Sequence, residues 1–533
     1  MSLPEPFPEV DVSEDYNPAI RLFGKRFIKE QTVLEYLSEF LAVVFSEKRI
    51  GDDGEVFLSP LPSIKELNEW PTSKPLCYRP PVKLNLKLFA FLSCSRADSR
   101  DETHTEHYKQ LVKKLEASIR TSNRSVQDVR DWLEEFLRCF QGVGLNRTWC
   151  AQTFYPITPS LLTQETIWNE TYAKNNPNDC WINSLKRFHK YYSVSKHRFM
   201  SRGGELLYLQ LCNLFTIEKS KISEFAKEMQ IEDDNEINLH KLYCSLQEGL
   251  QQFRGQNMEH FNKLVDYMEL LDKNTHSLTN NETKYVASEW CPRDSWQEAY
   301  LFAIEINRLL AASLEPIERL ELLMTGCSLQ VLRSLCAQSV RYAKGFNTAG
   351  TGGKLGYAWI FSSLGLSSRQ QRLTAQRNLN YIQGIIQKAL RNDELHKNAE
   401  RHPRKTAEQL YREADDRYGH KLLISLGKRL GIIIPKTGAQ ARFVMTDRLL
   451  RYFVLVLLKP GEKCTDDVFR QRLYRHYGIA VEGKELEDAV LWTGLPANSS
   501  IQPQESWLTE MLRAGGFLTE LSDACSIVKN DFK

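Results

Sequence analysis

The chain has 533 residues, of which 42% are apolar and 26% charged. That balance excludes a disordered or collagen-like polymer, and the length asks for about two to four domains. A net charge of +3, from 70 Lys and Arg against 67 Asp and Glu, names no partner, so any electrostatic argument rests on local clusters.

Residues 1–20 read as an acidic, Pro-containing arm. Met1 to Asp15 carries five carboxylates and three prolines and has no basic-then-apolar pattern, so no secretory leader is expected there. No apolar run reaches about 18 residues, so no membrane span is expected. The twelve cysteines are scattered and form no Cys-x-x-Cys pair. That pattern fits a reducing, cytoplasmic setting and signals no zinc site. No cofactor is expected.

Residues 21–143 form an expected α+β region. A helix begins near Thr32, with Val33, Leu37, Phe40, Leu41 and Val44 on one face. Arg21, Lys25, Arg26 and Lys29 before it read as a solvated helix entry, with an anion-contacting patch as the alternative. Gly51 to Pro81 reads as loop. Val82, Leu84, Leu86, Leu88 and Ala90 alternate with Lys83, Asn85, Lys87 and Phe89, which predicts a half-buried strand. Two helices follow, Thr105 to Thr121 and Ser125 to Phe140, with Ser125 as cap. His104 and His107 share a helical turn, and a solvated helix entry is expected there rather than a metal pair.

Residues 144–270 are an expected helical domain, helical from Trp181 onward. Its distinguishing feature is a run of interleaved cations and rings: Lys186, Arg187, Phe188, His189, Lys190, Tyr191, Tyr192, then Lys196, His197, Arg198, Phe199 and Arg202. Such interleaving suits phosphate contact with base stacking. It equally suits rings in a core beneath a solvated charged face. Ser201-Arg202-Gly203-Gly204 predicts a tight backbone turn.

Residues 283–402 are a second helical region. Ala349 to Lys354 reads as a flexible glycine loop, because Thr348 and Leu355 stand where a phosphate-binding loop needs Gly and a hydroxyl. A helix over Gln371 to Leu395 carries Leu379, Ile382, Ile385, Ile386 and Leu390, and Glu400 to Lys405 reads as a hinge. From Arg369 to Arg429, fourteen Lys or Arg face seven Asp or Glu. Arg369, Arg372, Arg377, Arg401, Arg404 and Lys405 are the candidates for phosphate contact there, salt-dependent and sequence-blind.

Residues 403–533 combine this basic segment with a C-terminal module. Thr446 caps a helix through Leu458, Thr465 caps a second that ends at Gly478 with Val468, Leu473 and Tyr477 inward, and Glu505 to Ala514 is a third. Phe517 to Leu521 and Cys525 to Val528 then make a hairpin. Helix, helix, helix, hairpin predicts a winged helix. Leu422 to Leu430 with a strand pair at Ile432 to Ile434 and Arg442 to Met445 suggests either a related unit or a strand pair of this module. The third helix carries Glu505, Glu510 and Arg513, a poor set for reading bases. The second, with Arg470, Arg472, Arg475 and His476, suits the phosphate backbone better.

The expected fold is therefore mainly α with small β elements, a multidomain helical protein ending in a winged-helix module. The expected function is a non-enzymatic DNA-binding subunit of a larger complex acting on DNA, duplex or single-stranded, alongside a partner protein such as a motor ATPase. Prokaryotic antiviral defence is the context that reading suggests. The alternatives are an assembly adaptor without nucleic-acid affinity and a metal-dependent nuclease. No nucleophile elbow, zinc-protease helix or dinucleotide loop is present.

Overall fold

In the computed structural model, residues 1–2, 93–101, 144–146, 178–180, 195–197, 255–257, 274, 277–283, 344–349, 496–505, 523–524 and 533 are not described, and all others are. The chain is mostly helical, with short strands and small hairpins. Two hydrophobic clusters organise it. The larger draws on residues 7–78, 162, 206–250 and 291–528. The smaller is built from residues 82–194 with Val265 and Met268. Segments read along the chain as separate regions thus share cores.

The larger cluster surrounds the helix Pro316–Tyr342. At 27 residues it runs about 40 Å, and it is buried continuously from Leu322 to Ser339. A helix with no solvated face must satisfy its polar side chains internally. Arg333 does so on Glu305 of the helix Trp296–Ala311. The helix Val33–Phe45 is also buried almost all round and starts with a Thr32–Glu35 capping box. Its end is closed by Lys48, whose ammonium donates to the carbonyls of Val43, Val44 and Ser46 at 2.7 to 3.1 Å.

The turn expected at 201–204 is present. Arg202 holds a left-handed φ of 72°, with its N–H on the Glu39 carboxylate at 2.8 Å. Gly203 and Gly204 then let the helix Gly203–Leu214 lie against Val33–Phe45. A Cβ on Gly204 would sit 2.4 Å from the Phe40 nitrogen.

Several expectations are corrected. Val82–Leu92 is no strand: Leu84–Phe91 is a helix, buried at every position. Asn85 and Lys87 supplied the polar beats of the alternation, yet both are buried. The Lys87 ammonium donates to Cys150 and Gln164 carbonyls, and the Asn85 amide to the Glu269 carbonyl. A helix wrapped on all sides carries no 3.6-residue signal, so accidental alternation stood out. The sheet of this region is instead Glu47–Ile50, Leu76–Arg79 and Val286–Ala287, paired antiparallel in that order. The acidic arm is docked, Pro6–Phe7 pairing with Cys291–Pro292. Lys25 pairs with Asp15 and Glu289, and Arg21 and Arg26 lie over Trp290 and Tyr418. That entry is therefore packed, not merely solvated.

The described part of the 349–354 loop is also packed. Thr351 donates its N–H to Asp488 at 2.9 Å, and a Cβ on Gly350 would meet the Asp488 carbonyl at 2.4 Å. Ala349 lies outside the described residues. The helix expected over 371–395 is two, Arg369–Leu390 and Asp393–Glu400, because Asn392 caps the second.

The C-terminal region runs helix Asp447–Leu457, strand Lys463–Thr465, helix Asp466–Tyr477, strand Ile479–Ala480, helix Gly483–Trp492, helix Trp507–Ala514 and strands Leu518–Ser522 and Cys525–Lys529. Thr446, Thr465 and Ser506 accept from backbone amides as N-caps. Cys525–Lys529 is the middle strand, antiparallel to Lys463–Thr465 on one side and Leu518–Ser522 on the other. The inward face of Asp466–Tyr477 is Phe469, Leu473, His476 and Tyr477, whereas Val468 is exposed. Ile433–Ile434 and Arg442–Phe443 form their own hairpin, and Ile479–Ala480 pairs in parallel with Trp359–Ile360. Among the described residues no helix is long and apolar enough to cross a membrane.

Candidate nucleic-acid interface

The cation-and-ring run folds as two short helices, Trp181–Lys186 and Phe188–Tyr191, followed by the strand Tyr192–Ser193. That strand pairs with Ile167–Trp168. Phe188, Tyr191 and Tyr192 are buried in the smaller core, while Lys186, Arg187 and Lys190 are exposed. The rings therefore anchor the segment and are not available for stacking. Lys186, Arg187, Lys190 and the exposed Arg198 have no carboxylate partner among the described residues. Arg202 differs: its guanidinium donates to the Ala287 carbonyl at 2.8 Å and pairs with Glu205 and Glu289. Lys196 and His197 lie outside the described residues.

Arg198 and Phe199 are held from below. The Glu165 carboxylate accepts the backbone N–H groups of Arg198, Phe199 and Met200 at 2.9 to 3.2 Å. Burial pushes this carboxyl up to about 7, against the pull of those amides. The Arg147 guanidinium lies 4.1 Å from the Phe199 ring centroid and is itself ion-paired to buried Glu35. A pocket of about 420 Å³ opens here, lined by Thr148, Trp168, Asn169, Glu170, Arg198 and Phe199 among others. A second, of about 530 Å³, shares Ser193 and adjoins Arg202 and Lys284.

The second basic stretch divides between two helices and the turns that follow them. Arg369, Arg372 and Arg377 are exposed near the start of Arg369–Leu390, whose 22 residues put about 33 Å between its ends. Arg401, Arg404 and Lys405 follow the helix Asp393–Glu400, where the His402 ring accepts the Arg404 and Lys405 N–H groups. Lys405 pairs with Glu413, Arg391 with Asp415 and Lys421 with Asp416. Arg369, Arg377, Arg401 and Arg404 have no side-chain partner among the described residues.

On Asp466–Tyr477 the cations are largely committed. Arg470 is bound by Asp466, Asp467 and Glu482, and Arg472 by Glu462 and the Leu457 carbonyl. Arg475 is half-buried without an ion partner among the described residues, and burial lowers its guanidinium. His476 faces inward, donating to Glu305 at 2.7 Å. Burial alone would raise the Glu305 carboxyl, but Arg333 and His476 bring it down to about 2. This network, with Tyr452 donating to Glu305 at 3.1 Å, ties the C-terminal helices to the central pair.

His104 and His107 are a further correction, since both are buried. His104 sits among Trp149, Trp168, Trp181 and Tyr192. Trp149 donates to its Nδ1 at 3.2 Å, leaving the neutral ring's proton on Nε2, toward the Tyr192 hydroxyl. His107 stacks on Trp181 at 4.1 Å, and burial pushes it down to about 3. The helix Glu102–Ser118 turns this face inward through Leu111 and Leu115. The polar residues around the pair in sequence hid that. Among the described residues, no group of three or more His, Cys, Asp or Glu is placed to hold a metal ion.

No protein-family model, curated protein or solved structure matches the chain.

Proposed function

We propose that the chain is a non-enzymatic nucleic-acid-binding subunit of a larger assembly. In this reading Lys186, Arg187, Lys190 and Arg198 hold DNA phosphates. One observation carries it. These four cations are exposed and without carboxylate partners among the described residues, over rings that fix them to a core. Committed cations such as Arg202, Arg470 and Arg472 would have to break internal pairs first, which discounts them.

The C-terminal region is read as a winged helix that serves a partner protein. Its support is the strand order, with the first strand edge-paired to the last and the hairpin completing the sheet. The helix in the recognition position, Trp507–Ala514, offers Glu510 and an Arg513 paired to Glu520. Such a surface is poor at meeting phosphates.

The test is binding of duplex and single-stranded DNA across a salt series. Affinity that falls steeply with salt supports the reading. No binding at low salt sinks it and leaves the adaptor. A specific feature favours that second reading: Leu364, Leu366 and Leu373 are 56%, 59% and 42% exposed, interspersed with Arg369, Arg372 and Arg377. Exposed leucines so close together along the chain support a contact with another protein. Loss of a co-purifying partner on Leu366→Asp, with no DNA binding by the wild type, would establish it.

A further inference from the structure

The 420 Å³ pocket beside the exposed cations is not explained by phosphate contact alone. Its lining brings together the half-buried ring of Phe199, the guanidinium of Arg198 at 5.3 Å from that ring's centroid, and the exposed Glu170; Trp168 lines it too, but is 7% exposed and already stacked on Tyr191. An aromatic-and-Arg wall takes a flat π-system, since every base presents a face to stack. The exposed Glu170 carboxylate suits the N–H groups on the edge of such a ring, whereas the Asn169 amide is committed to the Tyr172 N–H and the Lys190 carbonyl.

The wall is built in advance. Glu165 fixes the backbone of Arg198, Phe199 and Met200 through three successive N–H groups. Arg147, anchored on Glu35, lies against the Phe199 ring. A ring held in place loses little entropy on binding. Asn169 joins the pocket to the cation face, because its amide donates to the Lys190 carbonyl at 3.2 Å. Glu170 sets the polarity of entry. A carboxylate repels a phosphate but accepts from the N–H groups of a base, so a nucleotide enters base first. Its phosphate stays outside with Arg198 and Lys190.

We infer that this pocket receives the base of one unpaired nucleotide, so that the protein prefers single-stranded nucleic acid to duplex. The inference rests on the phosphate-binding reading above. A paired base is stacked in its duplex and cannot enter without being flipped. Base–aromatic stacking of about 1–3 kcal/mol corresponds to a preference of about 5- to 150-fold.

The experiment measures binding of the full-length protein to a fluorescent single-stranded oligonucleotide and to its duplex, at matched salt. The wild type should favour the single strand at least about 5-fold. Phe199→Ala should remove that preference, with duplex affinity and the salt slope unchanged. Thr171→Met is the second variant. Thr171 is an exposed residue of the pocket lining, so filling the pocket from there leaves the core intact, and it should lower single-strand affinity alone. Equal affinities in the wild type would overturn the pocket while leaving phosphate binding standing. So would equal losses on both nucleic acids in both variants. No binding of either at low salt would instead overturn the reading beneath it.

Discussion

Replacing Glu305 by Ala probes how the C-terminal helices are joined to the body. Glu305 is 1% exposed and Arg333 0%. Its two oxygens accept from Arg333 at 2.7 and 3.0 Å, from His476 at 2.7 Å and from Tyr452 at 3.1 Å. Removing the carboxylate leaves a buried guanidinium whose remaining bond is to Gln330. Breaking such a pair costs about 3–5 kcal/mol. Replacing both members at once, Glu305→Leu with Arg333→Met, leaves no buried charge and should cost well under the sum of the two single changes. Urea unfolding followed by tryptophan fluorescence gives the midpoints, and amide exchange in Asp466–Tyr477 should rise in E305A. A loss below about 1 kcal/mol in E305A, or additive losses in the double variant, would refute the network's role. The carboxyl's folded value of about 2 lies below its ordinary 4.5. Its contribution is therefore complete above about 4.5 and disappears as pH falls through about 2.

The other expectations are simpler. His107 is held neutral down to about 3, below its ordinary 6.5, so the unfolded chain takes up its proton first on acidification. Stability of the smaller core should fall as pH drops from 6.5 toward 3, and His107→Gln should flatten that fall in unfolding at neutral and acid pH. An unchanged pH dependence would contradict the burial of this ring. Gly204→Ala places a methyl 2.4 Å from the Phe40 backbone nitrogen and should destabilise by about 1–3 kcal/mol, whereas Gly384→Ala, where nothing lies within 4 Å, should be neutral or stabilising. Equal thermal midpoints for the two would count against the close approach of the helices. Lys48→Met removes the donor for three carbonyls and should cost about 1–3 kcal/mol, read as a lowered urea midpoint.

Where the sequence carried local signals, the fold was legible. Thr446, Thr465 and Gly478 bound the C-terminal helices because capping is a contact between near neighbours. Buried helices were not legible in the same way. Leu84–Phe91 depends on Glu269, whose carboxylate accepts the Leu86 N–H from 183 residues away. His104 and His107 depend on Trp149 and Trp181. The helix Gly483–Trp492 escaped because its buried positions, Leu486, Ala489, Val490 and Trp492, are few and follow no capping side chain. For the interface, the sequence located the cations but not their partners. Glu482 and Glu289, which occupy Arg470 and Arg202, lie 12 and 87 residues away along the chain. Only folding separates committed from free charge.

That separation is the central claim, and two variants test it. The first carries Lys186→Ala, Arg187→Ala, Lys190→Ala and Arg198→Ala, and the second carries Arg470→Ala and Arg472→Ala. The slope of log affinity against log salt is measured for both on duplex DNA. Four phosphate contacts at about 0.9 each predict that the first variant's slope flattens by about 3 to 4, while the second keeps the wild-type slope. An unchanged slope in the first variant, or a loss confined to the second, would contradict the account.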